Sequence, residues 1–380
     1  MTADESALDE LRSAVRDFLE AKSPEEAVRK LMESETRYDP AVWAQLTEQL
    51  RLPGLAIPEE YGGDGFGPVE LGVVLEEMGR ALLCAPYFAT VVLAAQALLA
   101  SGDTDACARH LPGIAAGGAT ATLAVAESNG SWDPALISAR AVRDGEGGEA
   151  GEGGEGGWRL TGRKSFVIDG TTADLVLVVA RTVAGPTLFA VDGTAPGLAA
   201  ESMETLDATR AMARLTLDAV PATLVGADGA GGRIMAKVLD FASVALAAEQ
   251  SGGARRCLET AAEYARTRHQ FGRPIGSFQA VKHKCADMLV QVELAEAASR
   301  EAARLAAEGS ADFPVAAGVA HVACSRAYMF TAMENIQVHG GIGFTWEHPA
   351  HLYFRRAKSS QLLFGGPAVY HERLLDRLGI

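Results

Sequence analysis

Leu8, Leu11, Val15 and Phe18 recur at intervals of three and four, which draws one apolar stripe along a helix. A second stripe of Leu71, Val74, Leu75 and Met78 predicts another helix starting near Val69. Between them, IPEEYGGDGFGP (Ile57 to Pro68) carries glycines and prolines that cannot propagate a helix, so a loop is expected, with Tyr61 packing it. The pattern changes after residue 117. ATLAVAES (121–128), WRLTGRKSFVI (158–168), ADLVLVVAR (173–181) and PTLFAVD (186–192) are short, rich in β-branched residues and bounded by Gly, Asp or Thr, which predicts strands. DGEGGEAGEGGEGG (144–157) has almost nothing apolar to bury and reads as a disordered hairpin tip with solvated acidic residues. Helical spacing then returns. A long Ala-rich pattern runs from Ile234 to Arg266, and Val281, Cys285, Met288, Val292 and Ala295 form a bundle seam. A further helix over about 312–338 ends at Gly340–Gly341, as a C-cap glycine would end it.

This succession predicts an α+β fold with segregated elements: a helical domain (1–117), a middle β-domain (118–228) and a C-terminal helical bundle (229–380). The 380 residues suffice for two or three packed units, and 48% hydrophobic with 22% charged residues is ordinary globular composition. A net charge of −15 repels phosphate backbones, so no nucleic-acid partner is expected, although a local pocket can still hold an anion. MTADESALDE lacks the basic and apolar regions of a secretory signal, and no run reaches the ~18 apolar residues of a membrane span. Cys84, Cys107, Cys257, Cys285 and Cys324 are odd in number and never in CxxC spacing, so reduced thiols in a cytoplasmic protein are expected.

Chemistry concentrates in two strings. In RHQFGRPIGSFQ (268–279), a cation and an aromatic flank a turn; alone they read first as an ordinary helix-end cation and only second as a diphosphate ligand with Phe271 packed on it. QVHGGIGFTWEHP (337–349) holds a glycine pair that lets a backbone approach a ligand closely. Together with the IPEEYGG loop and the GRKSFVI strand, in this order over nearly the whole chain, these strings resemble the acyl-CoA dehydrogenase family. The resemblance implies that family's fold, with a four-helix bundle as its C-terminal domain. It also implies FAD as cofactor, an acyl-CoA thioester as substrate, and a tetramer in which each FAD crosses a dimer interface. One subunit's β-domain serves the flavin ring. Its neighbour supplies the Arg-x-x-Phe and Gln-x-x-Gly-Gly turns to the ADP portion.

The residues matching the ADP-facing half are Arg268, Gln270, Phe271, Gln337, Gly340 and Gly341, and they follow the family pattern. The flavin-facing half departs from it. Ala126 stands where the family has a flavin-contacting Thr, and the matching second-strand residues are Phe166, Val167 and Ile168; Ile168 offers no side-chain hydrogen bond. The family's base, a Glu in Tyr-Glu-Gly-Thr, is replaced within Phe364-Gly365-Gly366-Pro367 by Gly365. The alternative base position that some relatives use, on the long helix, corresponds to Ala242, next to Ser243. Glu249 lies about two turns further along; helical drift points it away, so a buried or interface carboxylate is the plainer reading.

A positioned base is worth about 10²–10⁴-fold in rate. Selective loss of one half-site therefore implies a non-catalytic subunit that lends its ADP half to a paralogous partner bearing the Glu. Similar paired subunits occur in actinobacterial degradation of sterol side chains, where bulky acyl-CoA esters need room. The rival readings are a self-sufficient dehydrogenase, in a tetramer of itself, with another base, and a flavin-dependent oxygenase or tailoring enzyme on the same fold. His269, His283, His339, His348 and His351 form no metal spacing, and His283 and His339 are expected to cap or hydrogen-bond. Arg355, Arg356 and Lys358 are expected to be solvated helix charge.

Overall fold

The computed structural model describes residues 5–144 and 157–380. Helices α1 (Glu5–Lys22), α2 (Glu25–Glu33), α3 (Pro40–Leu50), α4 (Pro68–Arg80), α5 (Ala95–Ser101) and α6 (Thr104–Ala115) come first, with a π-helical run at Phe88–Ala94 leading into α5. Strands follow: β1 (Ala121–Ala124), β2 (Arg140–Arg143), β3 (Trp158–Ile168), β4 (Leu175–Thr182), β5 (Gly185–Asp192), β6 (Leu198–Ser202) and β7 (Met212–Val225). The chain finishes with α7 (Gly231–Thr267), the two-residue strands β8 (His269–Gln270) and β9 (Arg273–Pro274), α8 (Gln279–Ala307), α9 (Phe313–His339), α10 (Ala350–Leu362) and α11 (Pro367–Leu378). The architecture is thus α+β, with a β region between helical ends. Of the acidic run expected to be a hairpin tip, 145–156 lie outside the described residues; at its base the Asp144 N–H donates to the Gly157 carbonyl at 2.9 Å.

The chain packs as two compact units: 1–32, 67–83 and 243–380 in one, 33–66 and 84–242 in the other. In the second unit, β4, β2, β3, β7 and β5 pair in succession and β5 returns to β4, so the sheet closes on itself. Closure satisfies the backbone groups that an open edge would leave unpaired. β1 adds in parallel to β4, and β6 adds to β7. β2, β6 and β7 are strands that the pattern did not announce: β2 and β6 are mostly exposed, and β7 mixes buried and exposed positions around Pro221. Leu71, Val74, Leu75 and Met78 of α4 are buried as expected; of the α8 seam, Met288, Val292 and Ala295 are buried, while Val281 and Cys285 at its start are only half-buried.

The first unit is a helical assembly whose core is built largely from alanine. Val244 and Ala247 of α7, Ala295, Ala302 and Ala303 of α8, and Ala317, Ala320, Cys324 and Ala327 of α9 form one buried cluster. Small side chains let helix axes approach closely, so dispersion contacts are dense although each residue buries little area. Helices α4 and α7 approach closely. A Cβ on Gly79 would fall on the Glu249 carbonyl, and one on Gly252 on the Glu76 carbonyl, both far inside van der Waals contact. Helix α1 is clamped to α4 by ions: Arg12 reaches Glu76 at 2.5 Å, and Arg16 holds Glu77 at 2.7 and 2.9 Å.

Candidate functional site

Helix α7 ends at Thr267 and the chain reverses at once, with His269 opposite Pro274 and Gln270 opposite Arg273. The two loop residues are Phe271 (φ 55°) and Gly272 (φ 76°). Both lie in the left-handed region, as the favoured two-residue hairpin turn requires. Glycine adopts it freely, whereas a phenylalanine there stores about 1–3 kcal/mol of strain. The Phe271 ring is 90% exposed and meets Phe278 edge-on at 6.0 Å, and the Arg273 guanidinium covers Phe278 at 4.0 Å. Arg268 is pinned through its backbone: its N–H donates to the Tyr264 carbonyl at 2.8 Å, and its carbonyl accepts from Ile275 at 2.8 Å. Among the described residues no carboxylate pairs with its exposed side chain. Gln270 is likewise exposed.

Helix α9 presents the exposed Gln337 in its last turn and stops at Gly340, whose φ of 65° and ψ of −141° leave the helical region. A Cβ on Gly340 or Gly341 would meet nothing within 4 Å, so space is open around this backbone. Ile342, Phe344 and Trp346 continue the turn as exposed apolar residues. His339, by contrast, is buried; its Nδ1 is 2.8 Å from the Asn335 carbonyl and its ring stacks on Tyr264 at 4.3 Å. Burial holds its pKa below the usual value, so it is a neutral anchor, as expected of a hydrogen-bonding histidine.

The residues aligned with the flavin-facing half lie in the closed-sheet unit. Phe166 sits at a break in the β3–β7 register with φ 57°, and its ring is 37% exposed. Ala126, Val167 and Ile168 are each 1% exposed, so their side chains face inward. The Ala126 carbonyl already accepts from Ser165, and the Ile168 carbonyl from the Thr122 hydroxyl. Behind them is a pair that the sequence reading missed. The Lys164 ammonium, 0% exposed, donates to the Val125 carbonyl and to Glu127, each at 3.0 Å. Burial pushes Lys164 down to about 8, the Glu127 charge opposing. Burial acts to raise Glu127, but hydrogen bonds from Ser138 and Ala139 and the Lys164 charge bring it to about 2. A lysine inside an otherwise strand-like run, with a lone carboxylate after the preceding strand, was the available signal.

Gly365 adopts a φ of 107° beside Phe364 at 64°, and a Cβ there would lie 3.1 Å from Val369. Near it, His321 stacks on Tyr370 at 3.7 Å, and the Tyr370 hydroxyl meets Ser243 at 2.7 Å. The Gly365 backbone faces His321, yet neither ring nitrogen makes a hydrogen bond of ordinary geometry. Burial, with the Arg373 charge adding to it, drives His321 to about 3, so the ring is neutral, and at 0% exposure it reaches no ligand. Ala242 is also fully buried. Glu249 is held in a buried ion pair: Arg356 donates to it at 3.0 Å, with side-chain exposures of 4% and 6%. That corrects the expectation of solvated charge at Arg356, which faces inward to meet a carboxylate. Arg355 instead lies over Trp346 at 4.6 Å, and Lys358 donates to Gln361 at 3.0 Å.

The chemistry of the turn residues is compatible with the FAD that the family resemblance implies. An uncommitted guanidinium suits a diphosphate, Phe271 offers a flat face, Gln270 and Gln337 offer exposed amides, and Gly340–Gly341 an open backbone. Of the flavin-aligned residues, Ala126, Val167 and Ile168 have buried apolar side chains and Phe166 a partly exposed ring. All five cysteines are free, no cluster of three or more metal-ligating side chains occurs among the described residues, and no described helix is long and apolar enough to cross a membrane.

The family model for the acyl-CoA dehydrogenase N-terminal domain matches residues 5–118, that for the middle domain 122–220, and that for the C-terminal domain 229–379. Acyl-CoA dehydrogenase IpdE2 of Mycobacterium tuberculosis is 36% identical over 364 residues, covering 96% of this chain and 95% of that protein. Among solved structures, a variant of the Tcur3481–Tcur3483 steroid ACAD superposes with a TM-score of 0.87 at 36% identity, covering 98% of each chain. The ChsE4–ChsE5 complex from Mycobacterium tuberculosis does so with a TM-score of 0.86 at 31% identity, covering 100% of this chain and 98% of that one. Matched from end to end, in domain order and with this architecture, the chain belongs to the acyl-CoA dehydrogenase family, whose members are FAD-dependent oxidoreductases acting on acyl-CoA.

Proposed function

We propose that this chain is the subunit without a base in a hetero-oligomeric acyl-CoA dehydrogenase, lending an ADP half-site to an FAD whose ring is served by a paralogous partner. The observation that carries it is Gly365: no carboxylate stands at the family's base position, and the weak candidate Glu249 is paired with Arg356. When bound, FAD accepts the hydride from the substrate's β-carbon. In this reading Arg268 balances the diphosphate charge, Gln270 and Gln337 hydrogen-bond to the nucleotide, Phe271 packs on it, and Gly340 and Gly341 admit it to the backbone. Phe166 is left to cover a ring face, while Ala126, Val167 and Ile168 keep the altered ring side closed.

The sequence stretches 1–117, 118–228 and 229–380 would then be the family's three domains, in a cytoplasmic tetramer of two kinds of chain. The ChsE4–ChsE5 complex supports a partner subunit, and the steroid ACAD neighbour supports a bulky acyl-CoA in lipid catabolism. The free thiols suit a reducing compartment. The test is to purify this chain alone and together with a paralogue encoded beside it. FAD content and dehydrogenation are expected only with both chains present; full FAD occupancy and turnover by this chain alone would overturn the proposal.

A further inference from the structure

The two turns assigned to the ADP half-site come from the ends of different helices, α7 and α9, and one stack of rings joins those ends. Tyr264 lies in the last turn of α7, and its carbonyl accepts the Arg268 N–H at 2.8 Å. Its ring stacks on His339, centroids 4.3 Å apart and 28° between planes. His339 immediately precedes Gly340–Gly341, and its ring also meets the His348 ring, tilted, at 4.2 Å and 41°. His348 in turn accepts the Ala350 N–H at the start of α10 through Nδ1, at 3.2 Å. The stack therefore touches the Arg268 hairpin through backbone at one end and carries the Gly340–Gly341 turn at its middle.

We infer that Tyr264, His339 and His348 are positioning residues whose stack sets the spacing between the Arg268–Phe271 hairpin and the Gln337–Gly341 turn. This rests on the reading of those turns as nucleotide-gripping. A ligand that spans both turns is held more tightly when their separation is fixed, because a rigid element removes the ordering cost at binding. Neither turn can fix it alone. The hairpin has only two residues per strand, and space is open beside Gly340 and Gly341 in the glycine turn. Neutral rings suit the role: burial lowers both His339 and His348, so the stack carries no charge repulsion near neutrality. The charged groups facing His348 are Glu25 and Arg29, and the Asn335 carbonyl faces His339.

The test is hydrogen–deuterium exchange on the full chain, which needs no bound cofactor, together with FAD retention in the assembled complex. In His339→Ala, peptides covering 268–278 and 337–345 are both expected to exchange faster, and the complex to hold FAD roughly tenfold more weakly. His339→Phe keeps a flat ring and is expected to restore both. Tyr264→Ala, approached from the other end of the stack, is expected to loosen 337–345, since coupling is reciprocal. It also serves if His339→Ala fails to fold. Loosening confined to the turn nearest each substitution would overturn the inference, as would failure of His339→Phe to restore the distant turn. A complex that binds no FAD would overturn the proposed function instead and leave the exchange result to decide the spacing role.

Discussion

Replacing Arg356 by methionine separates a structural Glu249 from a catalytic one. The side chains of this pair are 4% and 6% exposed and meet at 3.0 Å, so removing the guanidinium takes the opposite charge away from a carboxylate that little water reaches. Breaking a buried pair by deleting one partner typically costs about 3–5 kcal/mol. For a unit of this size that lowers the thermal midpoint by roughly 10 °C. Replacing both partners by apolar groups, as Glu249→Leu with Arg356→Met, removes the isolated charge along with the pair and is expected to recover most of the loss. The assay is thermal unfolding of the four members of the cycle, with FAD content of the assembled complex as the second readout. The double variant is expected to keep normal FAD content, because neither residue is offered to a ligand. If Arg356→Met costs no more than the double variant, the charge is not buried as described. If the double variant alone abolishes dehydrogenation in an otherwise intact complex, Glu249 is a base after all.

Gly365→Glu is expected to install no base: the φ of 107° and the Val369 contact strain any L side chain, at about 1–3 kcal/mol, and a gain in dehydrogenation would contradict this. Gly252→Ala or Gly79→Ala, each driving a Cβ onto a carbonyl of the facing helix, should lower stability by about 3 kcal/mol or more; denaturant midpoints within ~1 kcal/mol of wild type would refute the close crossing. Glu127 is depressed from its ordinary 4.5 to about 2, so the folded state binds fewer protons than the unfolded one. Its stabilisation is present above pH 4.5 and fades between 4.5 and 2, and Glu127→Gln should flatten that part of the stability–pH curve. His351, packed edge-on against Trp346 at 4.6 Å, is lowered chiefly by burial from 6.5 to about 4. The stabilisation from keeping it neutral is lost as the pH falls from 6.5 to 4, and Trp346 fluorescence should report the change; a flat profile would refute it.

The stripes at three- and four-residue spacing named their helices because burial of one face is a local rule that the chain writes directly into its order. The two turns that carry the family resemblance were equally legible, since a glycine pair and an Arg-x-x-Phe string need no partner to be seen. Only folding revealed that Phe271 holds a left-handed backbone at the tip of a hairpin, because strain depends on what surrounds a residue. β2 and β6 were invisible for a related reason: their residues are mostly exposed and are strands only because neighbours pair with them. Arg356 read as surface charge, yet α7 and α10 bring it against Glu249 across 107 residues of sequence, a distance at which no local pattern carries information. The sequence thus determined the amphipathic helices, the apolar strands and the two family turns, while packing decided the exposed strands and which side chains face outward or are consumed inside the fold.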